Sequence, residues 1–213
     1  MSAVRTAGRA RDVMPTLCLD IDDVICMSSP YGGFDAIAAV NDRHVNPEQV
    51  YQGLFLTSAV RALKRIHDEM QGGIQYVISS TWRESFSRAQ LAVVFRRAGL
   101  GFVADRMHEG EKWRTPPQFG RSQRINEIAE WLDRHHQGES FAIVDDTFSG
   151  ASLMPALMPA SNVPAPAHSR NEPPHPFAGR VVLCKENIGL TGDHVAFIVA
   201  ALRRPVPMPS VPK

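Results

Sequence analysis

The chain has 213 residues, of which 44% are hydrophobic, so it can bury one sizeable core and a single domain is the default expectation. Its 23 lysines and arginines nearly balance 22 aspartates and glutamates, and a net charge of +1 argues against tight binding along a nucleic acid or to an anionic membrane. The sequence has no apolar run of membrane-spanning length and no secretory signal pattern. Three cysteines without metal or pairing spacing then favour a cytoplasmic protein with reduced thiols.

Four short apolar runs, rich in branched and aromatic residues, predict buried β-strands, and the segments between them show helical spacing of apolar residues. The strands are TLCLDI, IQYVISS, SFAIVDD and RVVLCK. The helices are TSAVRALKRIHDEM (behind a Thr57 or Ser58 cap), SRAQLAVVFRRAGL, RINEIAEWLDRHH and a segment from 195 to 202. Strands that alternate with helices are typical of parallel βαβ units, so we predict an α/β fold, a three-layer α/β/α sandwich.

Two stretches interrupt the alternation. Residues 27–56 are too long for a tight connection, and residues 153–178 are crowded with proline and predict an irregular loop. Residues 1–15 are expected to form a flexible leader and residues 205–213 a disordered tail. This leaves residues 16–204 as one domain.

Carboxylates and hydroxyls collect where three predicted strands end. They are Asp20, Asp22 and Asp23 at the end of the first strand, Ser79, Ser80 and Thr81 at the end of the second, and Asp145 and Asp146 at the end of the third. Ligands of open parallel sheets bind at the carboxyl ends of the strands. Crowded carboxylates repel one another, and Mg²⁺, which prefers carboxylate, water and phosphate oxygens, would neutralise them. We therefore predict a Mg²⁺ site there, with an acidic surface turn as the alternative.

The spacing of the first acids suggests a reaction. Residues i and i+2 of a strand share a face, so Asp20 and Asp22 can point at one site, unless Asp22 turns outward at the strand's end and offers its backbone carbonyl to the metal. One carboxylate can attack phosphorus, while a second protonates the leaving group and then activates water. A hydroxyl and a basic side chain would bind the phosphate oxygens.

These motifs, in this order, resemble those of the haloacid dehalogenase-like (HAD) superfamily of phosphohydrolases. The first is LDIDDVI, the second YVISSTW, the third lies in RINEIAEWL and the fourth is FAIVDD. The resemblance implies a nucleophile, an acid/base, a phosphate-binding hydroxyl, a basic residue and Mg²⁺ ligands. Asp20 is the candidate nucleophile and Asp22 the candidate acid/base. Ser80 (or Ser79) is the candidate phosphate-binding hydroxyl, and Arg124 (or Arg121) is the candidate basic residue. The candidate Mg²⁺ ligands are Asp145, Asp146 or both, together with Asp20 and Asp22.

Two further residues are candidates for contact with substrate. These are Thr81, within the second motif, and Arg83, just after it, and Arg83 has an acid such as Glu84 as its alternative partner. For the neighbouring Trp82 we expect packing. The sequence departs from the superfamily pattern at two positions. Asp23 replaces the more usual glycine or threonine. The third-motif residue is an arginine where lysine is more common, and arginine can still bind phosphate.

A narrower resemblance covers most of residues 16–204. The combination of SSTWRESF, TPPQFGRSQRINEIAEWL, AIVDD and ENIGLTGDHV is similar to the HAD domains of Swiss Army Knife RNA repair proteins. It implies a mostly parallel, Rossmann-like sheet with a small cap or flap formed by residues 27–56, and Mg²⁺ as the cofactor. In this superfamily such insertions decide which substrates reach the site.

The predicted activity is Mg²⁺-dependent hydrolysis of a phosphomonoester through an aspartyl-phosphate. The substrate is a phosphorylated nucleic-acid end, a nucleotide or a small metabolite, with no membrane partner; the sequence leaves the oligomeric state open. One competing class is a receiver-type signalling domain, with Lys185 as its basic residue, but receivers carry the phosphorylated aspartate on the third strand. The other is a non-catalytic HAD scaffold used for binding, which the presence of both Asp20 and Asp22 disfavours.

Overall fold

A computed structural model describes residues 13–117, 123–157 and 175–206. Four strands form one parallel sheet in the order β2-β1-β3-β4. Their bounds are Thr16–Leu19 (β1), Gln75–Ile78 (β2), Phe141–Asp146 (β3) and Val181–Cys184 (β4). Each lies within one of the four apolar runs, so the strand predictions are confirmed.

The register of the sheet determines what lies at its carboxyl edge. Leu19, the last residue of β1, is paired with Ile78 of β2 and Val144 of β3. The backbone continues this pairing by one step, because Asp20 N donates to Val144 O at 3.0 Å and Ser79 N donates to Leu19 O at 2.8 Å. The polar residues at the carboxyl ends of three separate strands therefore lie side by side at this edge of the sheet.

The helices include the four that the periodicity predicts and several that it did not. They are α1 (Gly33–Val40), α2 (Pro47–Gly53), α3 (Thr57–Glu69), α4 (Trp82–Ser85), α5 (Arg88–Arg97), α6 (Gly101–Arg106), α7 (Arg124–His135) and α8 (Gly192–Arg203), with 3₁₀ helices at Gly110–Trp113 and Ser149–Leu157. The predicted cap of α3 is wrong: Leu56 is the N-cap and Thr57 is already helical. In the described parts of the chain, no helix has the length and apolarity needed to cross a bilayer.

Alternate side chains of each strand enter two different cores, which makes the fold a three-layer sandwich as predicted. In β1, Leu17 and Leu19 belong to a core built with α3, α5 and α8, whereas Cys18 belongs to a second core with α7. In β3, Val144 belongs to the first core and Ile143 to the second. This period of two is the pleat of a strand that is buried on both faces.

The insertion at residues 27–56 contains α1 and α2 and packs onto the first of these cores. Ala36 of α1 and Val50 of α2 are fully buried members of that core. The start of α1 lies close to the second motif, because a Cβ atom at Gly33 would be 3.3 Å from the indole ring of Trp82. Glycine thus allows this helix to approach the edge of the sheet where the polar residues collect.

Much of the proline-rich stretch (158–174), the start of the leader (1–12) and the tail from 207 onward lie outside the described residues.

Arg180, just before β4, joins the end of α8 to the sheet. Its side chain is buried and donates to the carbonyl oxygens of Phe141 (3.1 Å), Ala201 (3.2 Å), Arg204 (3.1 Å) and Pro205 (3.0 Å). A cation at the C-terminal end of a helix also interacts favourably with the helix dipole.

We expect Arg180→Met to lower the free energy of unfolding by about 2 kcal/mol, because buried carbonyls lose a charged donor. Urea unfolding of the purified variant measures this loss. The control is Arg203→Met, since Arg203 is exposed on α8, the helix whose end Arg180 contacts, and its hydrogen bond to the carbonyl of Glu69 is exposed too; the substitution should cost no more than about 0.5 kcal/mol. Equal losses in the two variants would show that the Arg180 contacts contribute nothing specific.

Candidate active site

The loop after β1 begins with the buried carboxylate of Asp20 and turns back at once. The carbonyl of Ile21 accepts hydrogen bonds from the backbone of Ile25 and Cys26, both at 2.9 Å. Asp23 sits in this turn with φ of 53°, the left-handed region that aspartate tolerates better than most residues other than glycine. This conformation explains why glycine is common at this position in the superfamily that the motif resembles.

Three buried carboxylates meet at the carboxyl edge of the sheet. Asp20, Asp145 and Asp146 each offer an oxygen, and these three oxygens lie within 4.8 Å of one another. Asp146 Oδ1 accepts from the backbone nitrogens of Phe148 (2.6 Å) and Ser149 (2.9 Å), which fixes its carboxylate. Two oxygens, Asp20 Oδ2 and Asp146 Oδ2, are buried without a hydrogen-bond partner among the described residues.

This donor set fits a divalent cation. Buried carboxylate oxygens without partners cost free energy, and a hard cation bound between them would recover it. Burial, with the charge of Asp145 beside it, raises the pKa of Asp20 well above its usual range. Burial likewise raises the pKa of Asp145, although the guanidinium of Arg124 opposes the effect. Asp20, Asp145 and Asp146 can therefore hold a metal ion, and Asp22 is not one of the three.

Arg124, the first residue of α7, contacts the acids from one side and is itself buried. Its Nη2 lies 3.1 Å from Asp20 Oδ1, its Nε 2.8 Å from Asp145 Oδ2 and its Nη1 2.9 Å from Glu127 Oε2. Burial lowers the pKa of Arg124, but these carboxylates outweigh the burial and raise it, so the side chain stays charged. Of the two third-motif candidates, Arg124 is thus brought to Asp20, while Arg121 lies outside the described residues.

Glu127 connects Arg124 to a second buried arginine and was missed by the sequence analysis. Its Oε1 lies 2.9 Å from Nη2 of Arg83, whose Nη1 donates to the carbonyl of Ser80 at 2.7 Å. Arg83 was predicted to contact the substrate or Glu84; its guanidinium is buried, with Glu84 at 3.7 Å, so this arrangement favours an inward structural contact. The i, i+3 spacing of Arg124 and Glu127 on a predicted helix was the signal that could have identified Glu127.

Asp22 is oriented by the second motif rather than by the other acids. The indole nitrogen of Trp82 donates to both its oxygens, at 3.0 and 3.1 Å, and the Thr81 hydroxyl lies 3.5 Å from one of them. Trp82 is buried and stacks on Phe86 with the ring centroids 5.2 Å apart, so the expected packing is observed, together with a hydrogen bond that was not foreseen. Burial raises the pKa of Asp22 and the bond from Trp82 opposes the rise. That the backbone carbonyl of Asp22 binds the metal stays a prediction.

The two serines of the second motif are both buried at the end of β2. The hydroxyl of Ser79 has no hydrogen-bond partner among the described residues, whereas Ser80 Oγ accepts a long bond of 3.5 Å from Trp82 N. Ser79 follows the last residue of β2, next to Asp20 in the sheet register. Both hydroxyls therefore stay candidates for binding a phosphate oxygen.

A cavity of about 470 Å³ opens beside Asp22. The start of α1 forms one wall and the segment from Thr81 to Phe86 forms another. The site thus has two parts that share the first-motif loop, a buried cluster of acids with Arg124 and an open cavity with Asp22 in its wall.

Comparison with known proteins gives one match. A family model described as the HAD domain in Swiss Army Knife RNA repair proteins matches residues 16–195, which contain all the residues of the site. No curated protein and no solved structure matches the chain.

Replacing Glu127 by glutamine tests the buried network. The change removes the charge that pairs with both guanidinium groups, and we expect the free energy of unfolding to fall by about 3 kcal/mol. Glu130→Gln is the matched control on the same helix, because Glu130 pairs with Arg134 in a more exposed position and should cost less than about 1 kcal/mol. Chemical denaturation of both variants checks the difference, and similar losses would contradict it.

Proposed function

Because the chain belongs to the family of HAD domains in Swiss Army Knife RNA repair proteins, and membership implies phosphohydrolase-type chemistry, we propose that it is a Mg²⁺-dependent phosphatase acting on a phosphomonoester through an aspartyl-phosphate on Asp20. The observation that carries the proposal is the position of Asp20, whose carboxylate lies 3.1 Å from Arg124 and offers an oxygen within 4.8 Å of one oxygen from each of the two acids of β3. A phosphorylated nucleic-acid end, a nucleotide and a small metabolite are the candidate substrates.

Asp20 acts as the nucleophile. Burial favours its neutral form, whereas attack on phosphorus needs the carboxylate, and the ion pair with Arg124 at 3.1 Å supplies the charge that stabilises this form. The attack forms a bond between a carboxylate oxygen and phosphorus, and the ester bond between phosphorus and the leaving oxygen breaks. Arg124 keeps the carboxylate in one orientation because the same guanidinium also contacts Asp145 and Glu127.

Asp22 acts as the acid and then as the base. Burial raises its pKa and so favours the protonated form, which donates its proton to the leaving oxygen as the ester bond breaks. The carboxylate left behind then takes a proton from water, whose oxygen attacks the aspartyl-phosphate, releases phosphate and restores Asp20. Trp82 holds the carboxyl group of Asp22 and Arg124 contacts that of Asp20, so the two aspartates of the first motif perform separate tasks.

The phosphate group needs positive charge and donors around its oxygens. Mg²⁺ held by Asp20, Asp145 and Asp146 would supply positive charge to the phosphate oxygens. The hydroxyl of Ser79 or Ser80 is the candidate donor from β2. Thr81, whose hydroxyl lies near Asp22, is a further proposed contact on the open side of the site.

We expect Asp20→Asn to lower kcat by about 10⁴-fold or more, because an amide cannot form the phosphoenzyme. Phosphate release from an aryl phosphate, with and without Mg²⁺, measures the loss. Asp68→Asn, a change at an exposed acid of α3, is the control and should keep full activity. Beryllofluoride, which mimics the aspartyl-phosphate, should bind the wild type only; residual turnover close to that of the wild type would refute Asp20 as the nucleophile.

Metal binding has its own test. Titration calorimetry should show Mg²⁺ binding to the wild type and much weaker binding to Asp146→Asn, which lacks one of the three anionic ligands. At a Mg²⁺ concentration about 100 times the dissociation constant, the wild type should gain about 2.7 kcal/mol of stability and a higher Tm. A chelator should remove both that gain and the activity. Unchanged binding in Asp146→Asn would place the metal elsewhere.

A further inference from the structure

The cavity beside Asp22 lies where the leaving group of a substrate must extend. A proton donor has to reach the leaving oxygen within hydrogen-bond distance, and Asp22, the proposed donor, forms part of the cavity wall. The phosphate itself belongs with Asp20, Arg124 and the buried acids, none of which lines the cavity. A volume of about 470 Å³ is that of a small-molecule site and accommodates one aromatic alcohol or one nucleoside.

The charge of this cavity is one-sided. Among the described residues that line it there is no lysine, arginine or histidine, and the charged ones are Asp22 and Asp35. The N-terminus of α1 would by itself attract an anion, but Asp35 lies in its first turn and accepts a hydrogen bond from Gly32 N at 2.9 Å. Among the described lining residues, a second phosphate or a carboxylate on the leaving group would therefore meet the like charge of Asp35 and no opposite charge, whether or not Asp22 still holds the proton that it donates.

The remaining walls are apolar and aromatic. Trp82 and Phe86, stacked on each other, form one side, and Ile37 and Phe34 of α1 form the other. Phe34 is 91% exposed although it lines the cavity, so its ring can pack against a bound group. Aromatic rings in such a position favour a flat partner.

We infer that this cavity selects an uncharged leaving group with a flat or apolar face. The preferred substrate is then the monophosphate ester of such an alcohol, and an aryl phosphate or a nucleoside monophosphate fits. A nucleic-acid end is disfavoured, because its leaving group carries further phosphates. The inference rests on the phosphatase activity proposed above: as the ester bond breaks, its electron pair stays on the alcohol oxygen, which takes the proton of Asp22.

Matched pairs of substrates test the preference for an uncharged leaving group. One pair is adenosine 5′-monophosphate and adenosine 3′,5′-bisphosphate, and the other is phenyl phosphate and 4-carboxyphenyl phosphate. We expect kcat/KM to be at least about 10-fold lower for the more highly charged member of each pair. Asp35→Asn, which keeps an oxygen for Gly32 N and removes the charge, should narrow this difference. Equal rates within each pair, or a preference for a 5′-phosphorylated oligonucleotide, would overturn the inference.

Phe34→Ala tests the apolar wall. It should raise KM for phenyl phosphate about 10-fold and leave kcat nearly unchanged, as expected when a binding contact is lost that does not change in the transition state. Phe197→Ala, at an exposed aromatic of α8 that does not line this cavity, is the control and should change neither constant. An unchanged KM in Phe34→Ala would overturn the assignment of the leaving group to this cavity.

A binding measurement separates this inference from the proposed function. Quenching of tryptophan fluorescence by adenosine and by N6-(carboxymethyl)adenosine, a nucleoside with a carboxylate and no phosphate ester, needs no turnover, and we expect the wild type to bind the uncharged nucleoside more tightly. Weaker binding in Phe34→Ala would place the nucleoside in the cavity. Without hydrolysis of any ester, such binding would refute the phosphatase and retain the cavity's selectivity. Hydrolysis of the esters without any preference for the uncharged leaving group would support the phosphatase and refute the selectivity of the cavity.

Discussion

The burial of three aspartates at the end of a parallel sheet is the constraint on which the rest of the site depends. Asp20, Asp145 and Asp146 lie almost without solvent exposure, and the guanidinium of Arg124 contacts two of them. Three ionised carboxylates beside one guanidinium leave two negative charges, which is the charge that one divalent cation would balance. The unpartnered oxygens of Asp20 and Asp146 point to the same conclusion through hydrogen bonding.

The fold supplies what this cluster needs from both faces of the sheet. The parallel register brings the residues that follow β1, β2 and β3 to one edge, although they are far apart in the sequence. On one face, Ile128 and Trp131 of α7 pack into the second core, and this packing places Arg124 at the start of the helix over the acids. Glu127 forms ion pairs with both Arg124 and Arg83, which directly follows the second motif. The second and third motifs are therefore joined by buried ion pairs.

The insertion and the second motif line the open cavity proposed for the leaving group, whereas the buried acids proposed to act on the phosphate lie outside its lining. Trp82 has two functions: its ring is part of the core that α1 contacts, and its nitrogen holds Asp22. The position of the proposed acid therefore depends on the same residue that lines the cavity proposed for the leaving group. If that proposal holds, a change in the insertion should alter which alcohol fits without touching the buried acids.

The sequence by itself determined the four strands, the helices α3, α5, α7 and α8, and the acids at the carboxyl ends of β1 and β3. These features are local, because a buried strand or an amphipathic helix is encoded in the spacing of neighbouring apolar residues. Only the tertiary structure decided that Glu127 bridges two arginines and that Trp82 holds Asp22. Such contacts join residues 44 to 60 positions apart in the chain, as between Arg83 and Glu127 or Asp22 and Trp82, and no local pattern specifies them. The helices α1 and α2 were missed for the same reason, since they are short and their packing on the shared core stabilises them.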